Sequence, residues 1–182
     1  MALPDSVAGK EQHAAKVGQV EATFRDVALP FGLTIDLIRL TTRNAAIKRD
    51  PFQIDLAKPG NLVVTVSEQN LQAFLEKQSP GGLRGFEVKL HEGKVIVEAT
   101  AQLIVGLRAR AICTLRIVDG TQLWVDLKDV EVFGVGAKGL VEKQLERINP
   151  VLDAAEFPFE VKLDKVIVVD GELVLTGRIS PK

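Results

Sequence analysis

The sequence predicts an α+β domain in which a long, curved antiparallel sheet wraps around two or three helices. Three observations predict it: apolar residues alternate over long stretches, Asp-Gly and Glu-Gly pairs mark tight turns, and few segments have an amphipathic helical pattern. The chain has 182 residues, of which 46% are hydrophobic and 26% charged. We therefore expect one domain, residues 1–182, with a sizeable core.

The first predicted element is an N-terminal helix over residues 6–28, which Pro30 ends. Four apolar residues share one helical stripe there: Val17, Val20, Phe24 and Val27. We expect this helical segment, 1–29, to precede the main part of the domain at 30–180.

Strands are predicted next, over residues 31–40, 52–56 and 62–66, because apolar residues alternate or run together there. Lys58-Pro59-Gly60-Asn61 reads as a turn between the last two. Ser67 has the chemistry of a helix N-cap.

The helix that Ser67 opens carries Leu71, Phe74 and Leu75 on one face and ends before Ser79-Pro80. A strand over 84–90 follows, and His91-Glu92-Gly93 turns the chain back.

The strongest pattern runs from Val95 to Ile117, where every odd position is apolar. One strand of this length would be roughly 75 Å long, so we predict a hairpin of strands 94–103 and 107–118. A three-residue loop, Ile104-Val105-Gly106, would keep the two apolar faces on one side, with Leu103 opposite Leu107.

Beyond the Asp119-Gly120 turn, a strand over 122–133 has a slip in its alternation that predicts a bulge near Lys128-Asp129. A second helix is predicted over 137–148 and ends at Asn149-Pro150. The chain closes with a hairpin of strands 157–168 and 172–179.

Catalytic and metal sites are not predicted. Gly134 to Gly139, "GVGAKG", matches a dinucleotide-binding pattern, but hairpin-joined antiparallel strands do not build the parallel fold that such a site needs. Cys113 lies on an apolar strand face, which is typical of an inert thiol. His13 and His91 have no partner at metal or triad spacing. We expect no enzyme activity and no cofactor.

Two features point beyond a plain core. Small residues at Ala109, Ala111 and Cys113 leave space between Leu107 and Leu115, which either a close helix or a ligand tail would fill. A cluster of four cations lies between residues 39 and 49, in a segment read by default as a solvated turn, and could hold phosphate headgroups: Arg39, Arg43, Lys48 and Arg49.

Charge and hydropathy exclude several partners. The net charge of −1 gives no field that favours nucleic acid or an anionic membrane. The first residues have no signal-peptide pattern and no run of 18 apolar residues occurs, so the sequence leaves the compartment open.

Several of these segments together carry a resemblance to a known family. "VSEQNLQAFL", the paired amphipathic strands, the "VDG" turn, the Asn-Pro after a helix and the terminal "FPFEVKLDKVIVVDGELVLTGRI" resemble the LmeA-like phospholipid-binding family of bacteria. That family is similar to tubular lipid-binding (TULIP) domains, whose curved sheet wraps helices and leaves an apolar groove. The resemblance implies a phospholipid or fatty acyl ligand, peripheral membrane contact and a place in the cell envelope or periplasm.

Our leading hypothesis is therefore non-enzymatic lipid binding between the sheet and the helices, for lipid transfer or sensing. Ten residues are predicted to contact the acyl chains: Phe74, Leu103, Leu107, Ala109, Ala111, Cys113, Leu140, Ile148, Phe157 and Phe159. The alternative is a structural or interaction module of the same fold with a filled core, which could form a homodimer through a sheet edge.

Overall fold

The computed structural model describes residues 14–49, 52–56, 59–79, 82–101, 107–132, 148–156 and 160–180. Within these ranges it contains strands and one α-helix. The strands of the first half are β1 (Ala14–Ala28), β2 (Thr34–Arg49), β3 (Phe52–Leu56), β4 (Gly60–Ser67), β5 (Leu83–His91) and β6 (Lys94–Ala101). Those of the second half are β7 (Leu107–Val118), β8 (Gln122–Val132), β9 (Leu152–Asp153), β10 (Val161–Val169) and β11 (Glu172–Ile179). Helix α1 spans Glu68–Gln78, and Ala154–Glu156 form a 3-10 turn.

The strands form two antiparallel sheets. The six-stranded sheet has the order β1-β2-β4-β11-β10, with β3 paired to the far end of β2. Its central strand β4 pairs with β2 on one side and with β11 on the other, so it joins the first hairpin of the chain to the last. The five-stranded sheet follows the chain in the order β5-β6-β7-β8-β9.

Backbone hydrogen bonds connect the two sheets at strand β10, the edge strand of the six-stranded sheet. The Leu163 N–H donates to the carbonyl oxygen of Gly120 at 2.6 Å, and the Gly93 N–H donates to that of Val168 at 3.1 Å. Gly93 and Gly120 lie in the β5–β6 and β7–β8 turns, so the hairpins of the five-stranded sheet end against β10. These bonds also satisfy backbone groups that an edge strand would otherwise leave unpaired.

The core lies between the inner faces of the two sheets. The six-stranded sheet contributes most of its buried side chains, which alternate along each strand as one-sided burial requires. They include Ile35, Leu62, Val64, Val66, Val161, Leu163, Leu173, Leu175 and Ile179. Val88, Leu90, Leu123 and Leu152 face them from the five-stranded sheet.

The predicted N-terminal helix is wrong over residues 14–28, which form strand β1; residues 6–13 lie outside the described part. Strand β1 pairs with β2 over nearly its whole length, from Ala14 opposite Lys48 to Ala28 opposite Thr34. Asp26 has a positive φ of 51°, and the half-buried positions shift across it from Val20 and Ala22 to Val27. Across such a shift, apolar residues of a strand lie three apart in the sequence, which is also the spacing on one face of a helix.

Three further expectations need correction. Strand β2 begins at Thr34 and continues to Arg49, so the segment read as a solvated turn belongs to a strand. Leu107 pairs with Ala101, not with Leu103, although the two apolar faces still match. Two sheets replace the single curved sheet, because pairing of β4 with β11 makes a separate sheet from distant parts of the chain.

The helix count is only partly tested. Among the described residues α1 is the one helix seen over its length; the predicted helix at 137–148 falls outside them except for Ile148, which is helical. The final strand β10 begins at Val161, and Phe157 to Phe159 lie outside the described residues. Residues 134–139, with their glycine pattern, also lie outside.

Other local predictions are confirmed. The Ser67 hydroxyl caps α1 by accepting a hydrogen bond from the Asn70 N–H at 3.3 Å. The β7–β8 register shifts between Ile112, opposite Asp129, and Cys113, opposite Leu127, which places the bulge at Lys128.

Candidate functional site

Helix α1 lies against the outer edge of β5, near the β1–β2 turn. Its start is fixed by Asp36 of β2, whose carboxylate accepts hydrogen bonds from the Ser67 N–H at 2.7 Å and the Ser67 hydroxyl at 3.0 Å. The apolar face of α1 carries Leu71, Phe74 and Leu75, all only half-buried. A helix whose apolar face is incompletely covered borders open space.

That space is a cavity of about 130 Å³ between the two sheets, α1 and residues 148–152. Every described residue that lines it is apolar. Helix α1 supplies Leu71, Phe74 and Leu75; the six-stranded sheet and the turn before β2 supply Leu33, Ile35, Val64, Val66, Leu173 and Leu175. The five-stranded sheet supplies Val88, Val95, Val97, Cys113, Leu115, Leu123, Val125 and Leu152, and the segment before β9 supplies Ile148 and Val151.

The lining determines what the cavity can hold. A cavity without polar partners does not retain water, and one of about 150 Å³ with such walls binds benzene. The cavity therefore suits an uncharged hydrocarbon, such as part of an acyl chain. Among its described walls no carboxylate, amide or hydroxyl is placed to fix a polar group or assist a reaction.

Cys113 is the only chemically reactive side chain among the described lining residues. It is 3% exposed, and burial, with a smaller contribution from the Asp126 carboxylate, raises the pKa of its thiol to about 11. The thiol is therefore uncharged near neutral pH, and a neutral thiol is a poor nucleophile. Its place in the wall is that of a small apolar side chain.

The structure brings three of the ten predicted lipid-contact residues to the cavity: Phe74, Cys113 and Ile148. Ala109 and Ala111 lie further along β7, half-buried, and do not line it. Leu107 begins β7 opposite Ala101. The remaining four fall outside the described residues: Leu103, Leu140, Phe157 and Phe159.

The predicted headgroup residues all belong to β2. The exposed Arg39 guanidinium lies 3.6 Å from the carboxylate of Glu21 on β1. Arg43, four residues further along β2, is also exposed. Lys48 and Arg49 pair along the backbone with Gln53 and Phe52 of β3. Arg39 and Arg43 are not among the described residues that line the cavity.

Sequence reasoning missed most of the cavity wall. Val95, Val97 and Leu115 belong to the odd-numbered apolar run, so the signal that selected Cys113 also applied to them. Ile35, Val64 and Leu175 come from three separate strands. Their convergence depends on the β2-β4-β11 pairing, for which no local pattern is diagnostic.

No metal centre is found in the part of the chain that the structure describes. His91 is the last residue of β5, where its Nδ1 is 2.6 Å from the Asp170 carboxylate in the β10–β11 turn. This contact joins the ends of two hairpins at the surface. No described helix has the length and apolarity needed to cross a bilayer.

The fold and the cavity define a class of protein: two antiparallel sheets and a helix around an apolar internal space. A family model, LmeA-like phospholipid-binding, matches residues 10–178, nearly the whole chain. The chain belongs to the LmeA-like phospholipid-binding family, a lipid-binding family rather than an enzyme family. No curated protein and no solved structure matches it.

Proposed function

We propose that this protein binds phospholipid, or another acyl-chain lipid, without catalysis, and holds part of an acyl chain in the cavity between the sheets and α1. The all-apolar cavity carries the proposal. Phe74, Cys113 and Ile148 contact the chain in this proposal, together with Val97 and Leu115 from the five-stranded sheet. Membership of a phospholipid-binding family supports the same ligand class.

The energetics of such binding require no specific polar contact. Each buried methylene contributes about 0.8 kcal/mol, so the affinity grows with the number of methylenes that the apolar walls cover. The small volume means that the described walls hold a segment of one chain, and the rest of the lipid extends from it. A role in lipid transfer or sensing at the cell envelope, with peripheral contact to a membrane, is part of the proposal.

The purified protein tests this directly. Native mass spectrometry with lipid extraction should find a co-purified lipid, or uptake of phosphatidylglycerol from vesicles into lipid-free protein. The filled-core variant Val97→Phe should lose uptake while remaining folded. A clean unliganded mass with no uptake from vesicles would refute lipid binding.

One observation favours a second candidate, an interaction module with no ligand. A cavity of about 130 Å³ lies below the range of about 300–1,000 Å³ that small-molecule sites usually have. In that case the protein stays free of lipid in the same experiment. Its assembly would then show as a concentration-dependent mass, as expected for pairing of copies through an open sheet edge.

A further inference from the structure

Helix α1 closes the gap between the two sheets, and its two flanks are held very differently. On the β5 flank, Glu76 Oε1 accepts a hydrogen bond from the Phe86 N–H and Glu68 Oε1 accepts one from the Leu90 N–H, both at 2.6 Å. Both amides belong to an edge strand. Hydrogen bonds to a carboxylate are about twice as strong as neutral ones, so α1 and β5 are expected to move together.

The opposite flank faces the β1–β2 turn and has weaker contacts. One hydrogen bond crosses it, from the exposed Gln78 Nε2 to the Phe31 carbonyl oxygen at 2.7 Å. Phe31 also packs edge-on against Phe74, with ring centroids 6.1 Å apart. Because Phe74 lines the cavity, this aromatic pair joins the cavity wall to the β1–β2 turn.

The two ends of α1 also differ. The first turn is pinned to the six-stranded sheet by the Ser67–Asp36 bonds and by the Glu68 N–H, which donates to the Gly171 carbonyl oxygen at 3.2 Å. The last turn contacts the β1–β2 turn, through Gln78 and Lys77. Separation is therefore easiest between the C-terminal half of α1 and that turn, a boundary that we call the Phe31–Phe74 seam.

Apolar surface continues from the hairpin that borders this seam. Phe24 of β1 is 49% exposed, although its cross-strand partner Ile38 packs against the core. Val27 and Leu29, between Phe24 and the turn, are half-buried against the same core. An acyl chain leaving the cavity here would remain in contact with apolar side chains.

A cation lies beside the seam. Lys77 follows Phe74 by three residues, and its side chain covers Gly32, the neighbour of Phe31. A Cβ built on Gly32 would lie 3.3 Å from Lys77 Nζ, so the ammonium lies next to the turn. A side chain at Gly32 would displace it, and the φ of +100° at this position also favours glycine.

We propose that lipid enters and leaves through the Phe31–Phe74 seam and that Lys77 binds the lipid phosphate there. This inference rests on the proposed lipid binding. The acyl chain passes Phe74 into the cavity, and the phosphate stays at the surface beside the ammonium. The contacts of Glu68 and Glu76 hold α1 on β5 while the other flank opens.

The first test needs no lipid. Hydrogen exchange of lipid-free protein should show faster exchange at the Gly32 and Leu29 amides, which bond within the β1–β2 turn, than at Phe86 and Leu90. Gln78→Ala should increase exchange at the turn, whereas Gln72→Ala, on the exposed side of the same helix, should not. Faster exchange at Phe86 and Leu90 would place the opening on the wrong flank and overturn the seam.

The second test measures exchange of fluorescent phosphatidylglycerol with vesicles. Phe31→Ala should raise the uptake and release rates together by about 2- to 10-fold, because it removes an aromatic contact of the closed state. Unchanged rates in a variant that still binds lipid would overturn the seam and leave lipid binding intact. Absence of lipid binding in the wild type would instead refute the proposed function.

The third test concerns the phosphate. Lys77→Gln should weaken phosphatidylglycerol binding by about 2- to 5-fold, the range of an exposed ion pair, and leave binding of the uncharged diacylglycerol unchanged. Lys165→Gln, on exposed β10, is the matched control. Equal loss for both lipids would show that Lys77 acts only through the helix. If inorganic phosphate binds at Lys77 as strongly as the lipid does, the ligand there is the free ion, and the proposed headgroup contact is wrong.

Discussion

The inner faces of the two sheets carry the same kinds of aliphatic side chain but are covered to different extents. On strands β4 and β11, Val64, Val66, Leu173 and Leu175 are 3–6% exposed. On strands β6 to β8, Val95, Val97, Leu115 and Val125 also face inward, yet they are only half-buried. All eight of these residues line the cavity, so the apolar surface that remains uncovered in it lies mainly on the five-stranded sheet.

Alternation of apolar residues thus predicts which face of a strand is apolar. How completely that face is buried depends on the layer that packs against it. Strands β6 to β8, like β4 and β11, have neighbours on both sides in their sheet, so position within the sheet does not cause the difference. Part of the five-stranded sheet is faced by α1, whose apolar residues are all half-buried. Substitutions that remove volume from one face or add it to the other should separate the two regions.

The largest effect is expected from loss of volume in the well-covered region. Leu62→Ala, at a residue 3% exposed on β4 and away from the cavity, should lower the free energy of unfolding by about 2–5 kcal/mol. Urea unfolding measures this change. Lipid uptake per folded molecule should stay unchanged, and a selective loss of uptake would show that the two regions are not independent.

An intermediate effect is expected from the Cys113 thiol at high pH. Its pKa is about 11 in the folded protein and about 9 when unfolded, so the folded state holds the proton more tightly. This contribution is fully present below pH 9 and is lost as the pH rises to 11, with a total on the order of 3 kcal/mol. Unfolding measured between pH 8 and 11 should show this loss.

The matched control for the thiol is Cys113→Ala, which removes the titration. The difference in unfolding free energy between wild type and this variant should change with pH only above about pH 9. The same difference at every pH in this range would contradict burial as the cause of the raised pKa.

The smallest change in stability is expected where volume is added to the cavity. Val97→Phe should alter the free energy of unfolding by less than about 1 kcal/mol, because the cavity receives the added ring, and should abolish lipid uptake. Val161→Phe, at a residue 4% exposed and away from the cavity, should cost about 1–3 kcal/mol. Equal losses for both variants would mean that the two regions are equally filled.

Much of the five-stranded sheet could be predicted from the sequence, because tight turns join β5 to β6 and β7 to β8. The odd-numbered run from Val95 to Ile117 determined the apolar face, and Ser67 determined the start of α1. Strand β1 could not be predicted, since the shift at Asp26 gives its apolar residues a helical spacing. What makes this segment a strand is its pairing with β2, which the sequence of β1 alone does not show.

The sequence predicted an apolar space but not its position. Small and aliphatic residues at Ala109, Ala111 and Cys113 indicated a space, but the structure places it nearer Cys113 and Leu115. The basic residues Arg39 and Arg43 indicated a headgroup site, yet the cation beside the cavity wall is Lys77. A cluster of charged residues in the sequence does not show which side chains a turn and a helix bring together in the fold.

At its outer edge, the five-stranded sheet is completed by one side chain. The Asn149 carboxamide accepts from the Val125 N–H and donates to the Val125 carbonyl oxygen, both at 2.9 Å, just before β9 takes over the pairing. This one side-chain amide thus makes the two hydrogen bonds that a peptide unit of a neighbouring strand would make. An aspartate of the same size would turn one of these bonds into repulsion between two oxygens. Ile148 and Val151 lie on either side of Asn149-Pro150, so the cavity wall that they form is held by this amide together with the Val151 N–H, which donates to the Leu123 carbonyl oxygen at 2.9 Å.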